Sequence, residues 1–420
     1  VSKIGTPVVI PDVPESHRPT LVLAVRDYSS RVRGGDVGAL PAVLGLIVLS
    51  FFFTVMRPAD FANKLNFANL LNQSAAVIFI ALGLVFVLLL GEIDLSAGYT
   101  AGTSAAVLAV LLTKHGYGWP IAVAGSLLTG VLIGLLIGLL VAQLGIPSFV
   151  VTLALFLGLQ GVMLLVIGEG GTIPIRDETL LSLMNNNLAS WLGWGLFVVV
   201  VGGYALLSLS TVIRRRKAGL ASAPPVVAMF KVVVLAVLFG IVTFVLNQER
   251  SVNTVISSIK GVPIIVPFTI VFVVGLTFVL NRTSFGRHIY AVGGNAEAAR
   301  RAGINVNGIK VASFVICSTM AAIAGVLFAS RDNSVSPSTG GSITLLLAVA
   351  AAVIGGTSLF GGKGRIIDAI LGGLVIGVIQ NGLILITQKA GIQFMVTAGV
   401  LLLAASVDAI ARRQAAASGR

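Results

Sequence analysis

The residues best able to do chemistry in this 420-residue chain are a glycine-framed lysine, a close pair of carboxylates and three histidines. The lysine stands in GTSLFGGKG, Gly356 to Gly364. A phosphate-binding loop needs G-x-x-x-x-G-K-[ST], with a hydroxyl after the lysine to meet magnesium. Here Gly364 follows Lys363 and the glycine spacing is off by one, so the chain is not expected to hydrolyse ATP by itself. Glu92 and Asp94 flank Ile93 at the end of an apolar run. Carboxylates at membrane depth mark ion or substrate paths, because burying the charge is costly. An acid just before a helix instead caps its amides and meets the positive end of its dipole, and Asp94-Leu95-Ser96 ahead of 97–112 favours that role. His17, His115 and His288 fall in separate polar loops, without His-x-x-x-His or a carboxylate at ligand spacing. No catalytic residue, metal site or cofactor is expected.

Other polar side chains lie in apolar surroundings: Asn72, Gln73, Ser74, Thr152, Gln160, Gln380 and Asn381. Each can either join two helices by a hydrogen bond or line a path for a hydroxylated solute. Asn72, Gln73, Ser74, Glu92, Asp94, Thr152, Gln380 and Asn381 are the candidate path residues. The remaining acids, including Glu169, Asp177, Glu178, Glu249, Asp332, Asp368 and Asp408, fall in loops or near span ends, which argues against ion coupling.

The elements that must position these residues are membrane helices. The chain is 56% hydrophobic and 10% charged, with a mean hydropathy of +1.03, whereas soluble domains carry about 25% charged residues. Apolar runs of roughly 17–25 residues, the length that crosses about 30 Å of hydrocarbon, recur throughout. The expected fold is all-α and polytopic, with about twelve (10–12) helices. They are placed near 39–56, 74–90, 97–112, 120–144, 149–167, 191–213, 226–246, 262–280, 311–330, 342–360, 366–386 and 392–410. Segment 97–112, rich in small and hydroxyl residues, is the weakest and could be half-inserted. Cys317, the sole cysteine, excludes disulfides within the chain and cysteine-based metal sites.

Charge sets the orientation. A net charge of +13 is also seen in nucleic-acid binders, but basic residues beside membrane spans explain it better. With twelve spans and a cytoplasmic amino terminus, the inside segments hold 19 Lys and Arg and the outside segments 8. Both termini are therefore expected in the cytoplasm: 1–38 as an amino-terminal segment, 39–410 as the transmembrane domain and 411–420 as a tail. No cleavage pattern follows the first apolar run, so the first span is expected to stay as an anchor.

Glycines Gly130, Gly134 and Gly138, and again Gly373 and Gly377, recur every fourth residue, a spacing that lets helix backbones approach in lipid. Weak internal echoes pair Gly91–Gly98 with Gly355–Gly362, and Gly145–Thr152 with Gly391–Thr397. Internal repeats are common in transporters. The twelve-span map puts the second pair on opposite sides of the membrane, so either that echo is chance or a segment such as 97–112 does not cross.

The longest polar interruption, 281–310, is the best surface for a soluble partner. Within it AEAARRA favours a short helix ending at Gly303 as its C-cap. Such a helix would present Arg300 and Arg301 to a partner or to anionic lipid, and spacing alone leaves it level with an ordinary basic loop.

Glu297-Ala298-Ala299-x-x-x-Gly303 resembles the EAA motif of ABC-importer permeases. GEIDLSAG at 91–98, IPSFVVTLA at 146–154, TSFGRHIYAVGGNAEAARRAGIN at 283–305, GGTSLFGGKG at 355–364 and QNGL at 380–383 resemble the monosaccharide branch of that family. The resemblance covers roughly 60–410, and the extra spans around Arg214-Arg215-Arg216-Lys217 look most like xylose-type members. Two positions depart from it: Glu92 stands where glycine is frequent, and Leu345–Leu347 where an acidic pair is usual. The resemblance implies two copies of the chain in a bacterial cytoplasmic membrane, with two ATP-binding subunits and an extracytoplasmic sugar-binding protein. Glu297, Ala298, Ala299, Arg300, Arg301 and Gly303 would then be the ATPase-coupling residues. Permeases for branched-chain amino acids or nucleosides and an ion-coupled secondary carrier are the alternatives; a membrane enzyme lacks the necessary residues.

Overall fold

A computed structural model describes residues 38–219, 225–251, 253, 258–400, 402 and 406. Residues 1–37 of the expected amino-terminal segment 1–38, the expected tail 411–420, and residues 401, 403–405 and 407–410 of the expected last span lie outside the described residues. Apolar runs without side-chain partners for their own amides must satisfy them internally, and in lipid only helix does this within one segment. The chain accordingly folds into helices α1 (Leu40–Met56), α2 (Pro58–Phe61), α3 (Lys64–Leu89), α4 (Ala97–Ala109, continued by a π turn Val110–Lys114) and α5 (Trp119–Ala142). They are followed by α6 (Ser148–Ile167), α7 (Glu178–Asn185), α8 (Ser190–Lys217), α9 (Pro225–Asn247), α10 (Ile265–Arg282), α11 (Ser284–Gly294) and α12 (Ala296–Arg301). The last are α13 (Val306–Asp332), α14 (Ser342–Gly355), α15 (Ile366–Ile386) and α16 (Ala390–Val400). Two short strands, β1 (Ile173–Pro174) and β2 (Ser334–Val335), pair antiparallel.

Every one of the twelve expected segments falls on a helix, but their lengths differ. Among the described residues eight helices are long and apolar enough to cross a membrane. Of the other four, α1, α4 and α14 are shorter, and α16 is described without a break only as far as Val400. Three boundaries move by five residues or more, one being the start of α13 at Val306 instead of 311. Helix α3 begins ten residues before the expected Ser74 because Asn63 caps it, accepting from the Leu65 amide at 2.9 Å. Helix α14 stops at Gly355, where Gly356 turns with φ +120°.

Helices α3 and α13 form the centre, with 83% and 67% of their most apolar stretches buried. Gly83 lets them touch, its Cα facing the Cys317 carbonyl and the Met320 side chain. Gly130, Gly134 and Gly138 of α5 pack on Ser318, Val315 and Val311 of α13. Gly373 and Gly377 of α15 pack on Ile78 and Ser74 of α3. Both glycine stripes are thus helix contacts. Helices α8 and α9 pack chiefly on each other, with only 6% and 11% buried, and their apolar flanks face outward.

Each central helix is followed by an extended stretch that doubles back into the protein. After α3, Gly91 turns with φ +74° and residues 92–95 run inward before α4 starts beside Cys317. After α13, Asn333 turns with φ +53° and residues 334–341 run inward from the opposite end before α14 starts. The first turns of α4 and α14 meet inside the molecule, where Gly98 and Gly340 abut each other's backbone. Exchanging α3 with α13, α4 with α14 and α5 with α15 preserves the main packing partnerships among these six helices, which is the signature of an inverted repeat. Segment 97–112 therefore travels from the interior to one face, and residues 91–96 complete the passage as extended chain.

The loops gather at two ends. One end joins 89–93, 148, 290–310 and 360–365: the Gly362 amide donates to the Leu89 carbonyl (2.9 Å), Ser148 accepts from the Ile93 amide (3.2 Å), and Lys310 pairs with Glu92. The other joins 61–72, 113–117, 173–188 and 330–335, as in the Thr113 hydroxyl donating to the Pro174 carbonyl (2.8 Å) and Asn185 to the Ser330 carbonyl (3.0 Å).

Candidate translocation path and coupling face

At the second end, α3, α7, α13 and α15 surround an open cavity of about 530 Å³ lined by Asn69, Asn72, Gln73, Met184, Asn185, Arg331, Gln380 and Ile384. Helical spacing carries the amides: Asn66, Asn69 and Gln73 recur at i, i+3 and i+7 along α3. Asn381 backs this wall, exchanging reciprocal hydrogen bonds with Asn66 (2.8 and 2.9 Å) and donating to Gln73 Oε1 (3.2 Å). Asn72 Nδ2 donates to the Met184 carbonyl (3.2 Å), which ties α7 to the cavity. Arg331 lies over the Phe328 ring and pairs with Asp332 at 2.8 Å. Amides that both donate and accept, with one guanidinium and few apolar neighbours, suit a neutral solute carrying several hydroxyls.

The eight candidate path residues thus divide. Asn72, Gln73 and Gln380 line the cavity and Asn381 stands behind it. Ser74 is buried, donating to the Leu70 carbonyl (2.7 Å) against Gly377. Glu92, Asp94 and Thr152 lie at the other end, as the rise along α3 from Asn72 to Leu89 spans about 26 Å. Asp94 is fully buried and accepts from the Ser96 amide (2.9 Å) and hydroxyl (2.6 Å), so it orders the entry to α4. Thr152 donates to the Ser148 (2.8 Å) and Ile93 (3.2 Å) carbonyls, and Glu92 accepts from Lys310 at 2.5 Å.

The polar interruption 281–310 is a helical elbow and not an open loop. Thr283 caps α11 by accepting from the Gly286 amide (3.2 Å), and Ile289 and Val292 are buried beneath it. Gly293 sits against the Leu89 carbonyl, where any side chain would collide. Tyr290 donates to the Gly364 carbonyl (2.7 Å), and burial keeps its hydroxyl above the usual phenol range, so it stays a donor. Asn295 then caps α12, accepting from the Ala298 amide (2.9 Å). Helix α12 ends as the sequence predicts. Gly303 takes φ +83°, its amide donates to the Arg300 carbonyl and the Ile304 amide to the Ala299 carbonyl, a Schellman closure. Ala299 is buried, while Glu297, Ala298, Arg300, Arg301 and Gly303 are exposed. Glu297 and Arg300 pair at 2.6 Å, leaving Arg301 the more available charge.

Four polar groups in or behind the cavity wall escape the sequence reading: Asn66, which bonds Asn381, and the lining residues Asn69, Asn185 and Arg331. The first two extend the Asn72-Gln73 pair backward at helical spacing, a signal obscured because the span appears to begin at Ser74. Asn185 and Arg331 come from a loop helix and a span end, and only tertiary packing brings them in.

Residues 66–405 match the family described as branched-chain amino acid transport system / permease component. The chain is 33% identical over 377 residues to the xylose transport system permease protein XylH of Escherichia coli K12, covering 89% of this chain and 92% of the relative. It is 30% identical to the xylose transport system permease protein XylH of Haemophilus influenzae, over 87% and 94%. The ribose import permease protein RbsC of Escherichia coli K12 is also 30% identical, over 87% and 92%. No solved structure matches the chain. A bundle with eight helices long and apolar enough to cross a membrane among its described residues, matched over most of its length, identifies the chain as a member of the branched-chain amino acid transport system / permease component family.

Proposed function

We propose that this chain is the membrane-spanning permease subunit of an ABC importer for a monosaccharide, a xylose-type pentose above all. It would sit in a bacterial cytoplasmic membrane with both termini inside and work as two copies, with two ATP-binding subunits and an extracytoplasmic sugar-binding protein. The observation that carries the reading is the 33% identity to a xylose permease over 89% of the chain. The geometry agrees with it. The amide-lined cavity opens at the end opposite α12, as expected if solute enters from outside and ATP-driven motion enters from the cytoplasm. The amides also favour hydroxyls over the aliphatic side chains of branched amino acids.

In this reading the binding protein releases sugar into the cavity, and closure of the ATP-binding subunits moves α12. The chain itself does no bond chemistry; it couples two conformational equilibria, each biased by a different ligand. Between cavity and cytoplasm stands the meeting of α4 and α14. It is built from Gly98, Gly340 and buried Leu345, so a narrow apolar seam holds solute back until the helices part.

The test is uptake of labelled xylose, ribose and leucine into proteoliposomes holding the chain with its ATP-binding subunit and binding protein. Xylose accumulation that requires ATP supports the reading. Leucine accumulation would turn it to the amino-acid branch, and uptake by the chain alone on an ion gradient would make it a secondary carrier.

A further inference from the structure

The stretch Gly91–Ser96, between the end of α3 and the start of α4, is held from three sides. From α11 and the 360–365 loop, Gly293 and Gly361 press on Leu89 and Gly91, and the Gly362 amide bonds the Leu89 carbonyl. From α6, Ser148 and Thr152 clamp the two sides of Ile93. From α13, Lys310 grips Glu92 at 2.5 Å, with side chains only 24% and 16% exposed. Lys310 lies in the second turn of α13, and the connection back to exposed α12 is short and rigid. Asn305 caps α13 by accepting from the Gly308 amide (3.0 Å), and the Ile304 amide closes α12. Among these clamps the ion pair is the one made between charged side chains, and it joins the re-entrant stretch to α13, which begins at Val306 after the coupling helix ends at Arg301.

We infer that the Glu92–Lys310 ion pair is the positioning contact that carries displacement of α12 to α4 and so to the Gly98–Gly340 seam. A half-buried pair of opposite charges holds across a small movement where a single apolar contact would slip, because the attraction falls slowly with distance. Losing one partner leaves the other charge shielded from water and unpaired, so α4 no longer follows α13. The inference rests on the importer reading above.

The experiment measures ATP hydrolysed per sugar imported in proteoliposomes of the full transporter, with xylose as the probe. The chains compared are wild type, Glu92→Gln, Lys310→Met and the exchanged pair Glu92→Lys with Lys310→Glu. Each single change should raise that ratio at least about fivefold, the low end of inter-site coupling, while co-purification of the ATP-binding subunit is kept. The exchanged pair should return the ratio toward wild type. Should a single variant fail to insert, recovery of insertion and ratio in the exchanged pair supports the inference, and failure to recover overturns it. A wild-type ratio in the single variants, with only the amount or thermal midpoint of the protein reduced, also overturns it and shows a merely structural pair. If wild type itself shows no ATP-driven import, the importer reading fails instead, so the two failures are separable.

Discussion

Asn381 and Asn72 show how two amides of the same type can have different duties. Asn381 is buried and ties Asn66 and Gln73 together, whereas Asn72 lines the open cavity. Replacing Asn381 by Leu removes the partner of two amides and should cost about 1–3 kcal/mol. Thermal unfolding in detergent should show a lower midpoint, with unchanged preference among sugars in the protein that remains. Asn72→Ala and Gln380→Ala should leave the midpoint near wild type and raise the sugar concentration for half-maximal import. Equal effects of the three changes on stability would deny the cavity a binding role. The sequence marks these positions as polar residues among apolar ones and leaves both duties open, because which face of α3 meets α15 is settled only by packing.

Helix α12 is the element the sequence describes best. Its alanines and arginines favour helix, and Gly303 supplies the left-handed residue that closes it. All of this is local information. Gly303→Val should cost about 1–2 kcal/mol at that conformation. With Arg300→Glu and Arg301→Glu it should lower import while the protein still inserts; normal import and normal co-purification of the ATP-binding subunit would refute docking there. The re-entrant 91–96 stretch is the opposite case. Its extended path depends on Ser148, Thr152, Lys310 and Gly362, all far along the chain, so no local pattern announces it. At the other end, the turn after α9 has its own pH dependence. Hydrogen bonds from Ser258, then from the Ser251 and Ile259 amides, hold Glu249 at about 2 instead of 4.5. A lowered carboxyl stabilises the turn above its ordinary range and ceases to as pH falls through the folded value. Amide exchange at Ser251 and Ile259, corrected for intrinsic rate, should stay constant from neutral pH down to about 5 and quicken toward 2. A change confined to neutral pH would contradict the assignment.

At the scale of the molecule, two inverted halves explain what the echoes in the sequence leave unresolved. Gly145–Thr152 follows α5 and Gly391–Thr397 follows α15, equivalent places at opposite ends, so inversion reconciles the echo with its two sides. The echo of Gly91–Gly98 with Gly355–Gly362 has no such counterpart, because 91–96 corresponds to 334–341. The two-fold inverts the halves in space but keeps their order along the chain, so a linear comparison retains a weak echo wherever the residues have not diverged. The same architecture fixes which loops share an end, and single cysteines in a Cys317→Ser background can orient them. A cysteine at Arg301 should react with an impermeant maleimide only from the cytoplasmic side, and one at Asn185 only from outside. The central claim of the proposed function is that solute and energy enter at opposite ends of this chain, with ATP hydrolysed by a separate subunit. Its most direct test is import into proteoliposomes loaded with ATP, with and without the ATP-binding subunit. Import that appears only when that subunit is present is the predicted result; equal import by the chain alone would contradict the account.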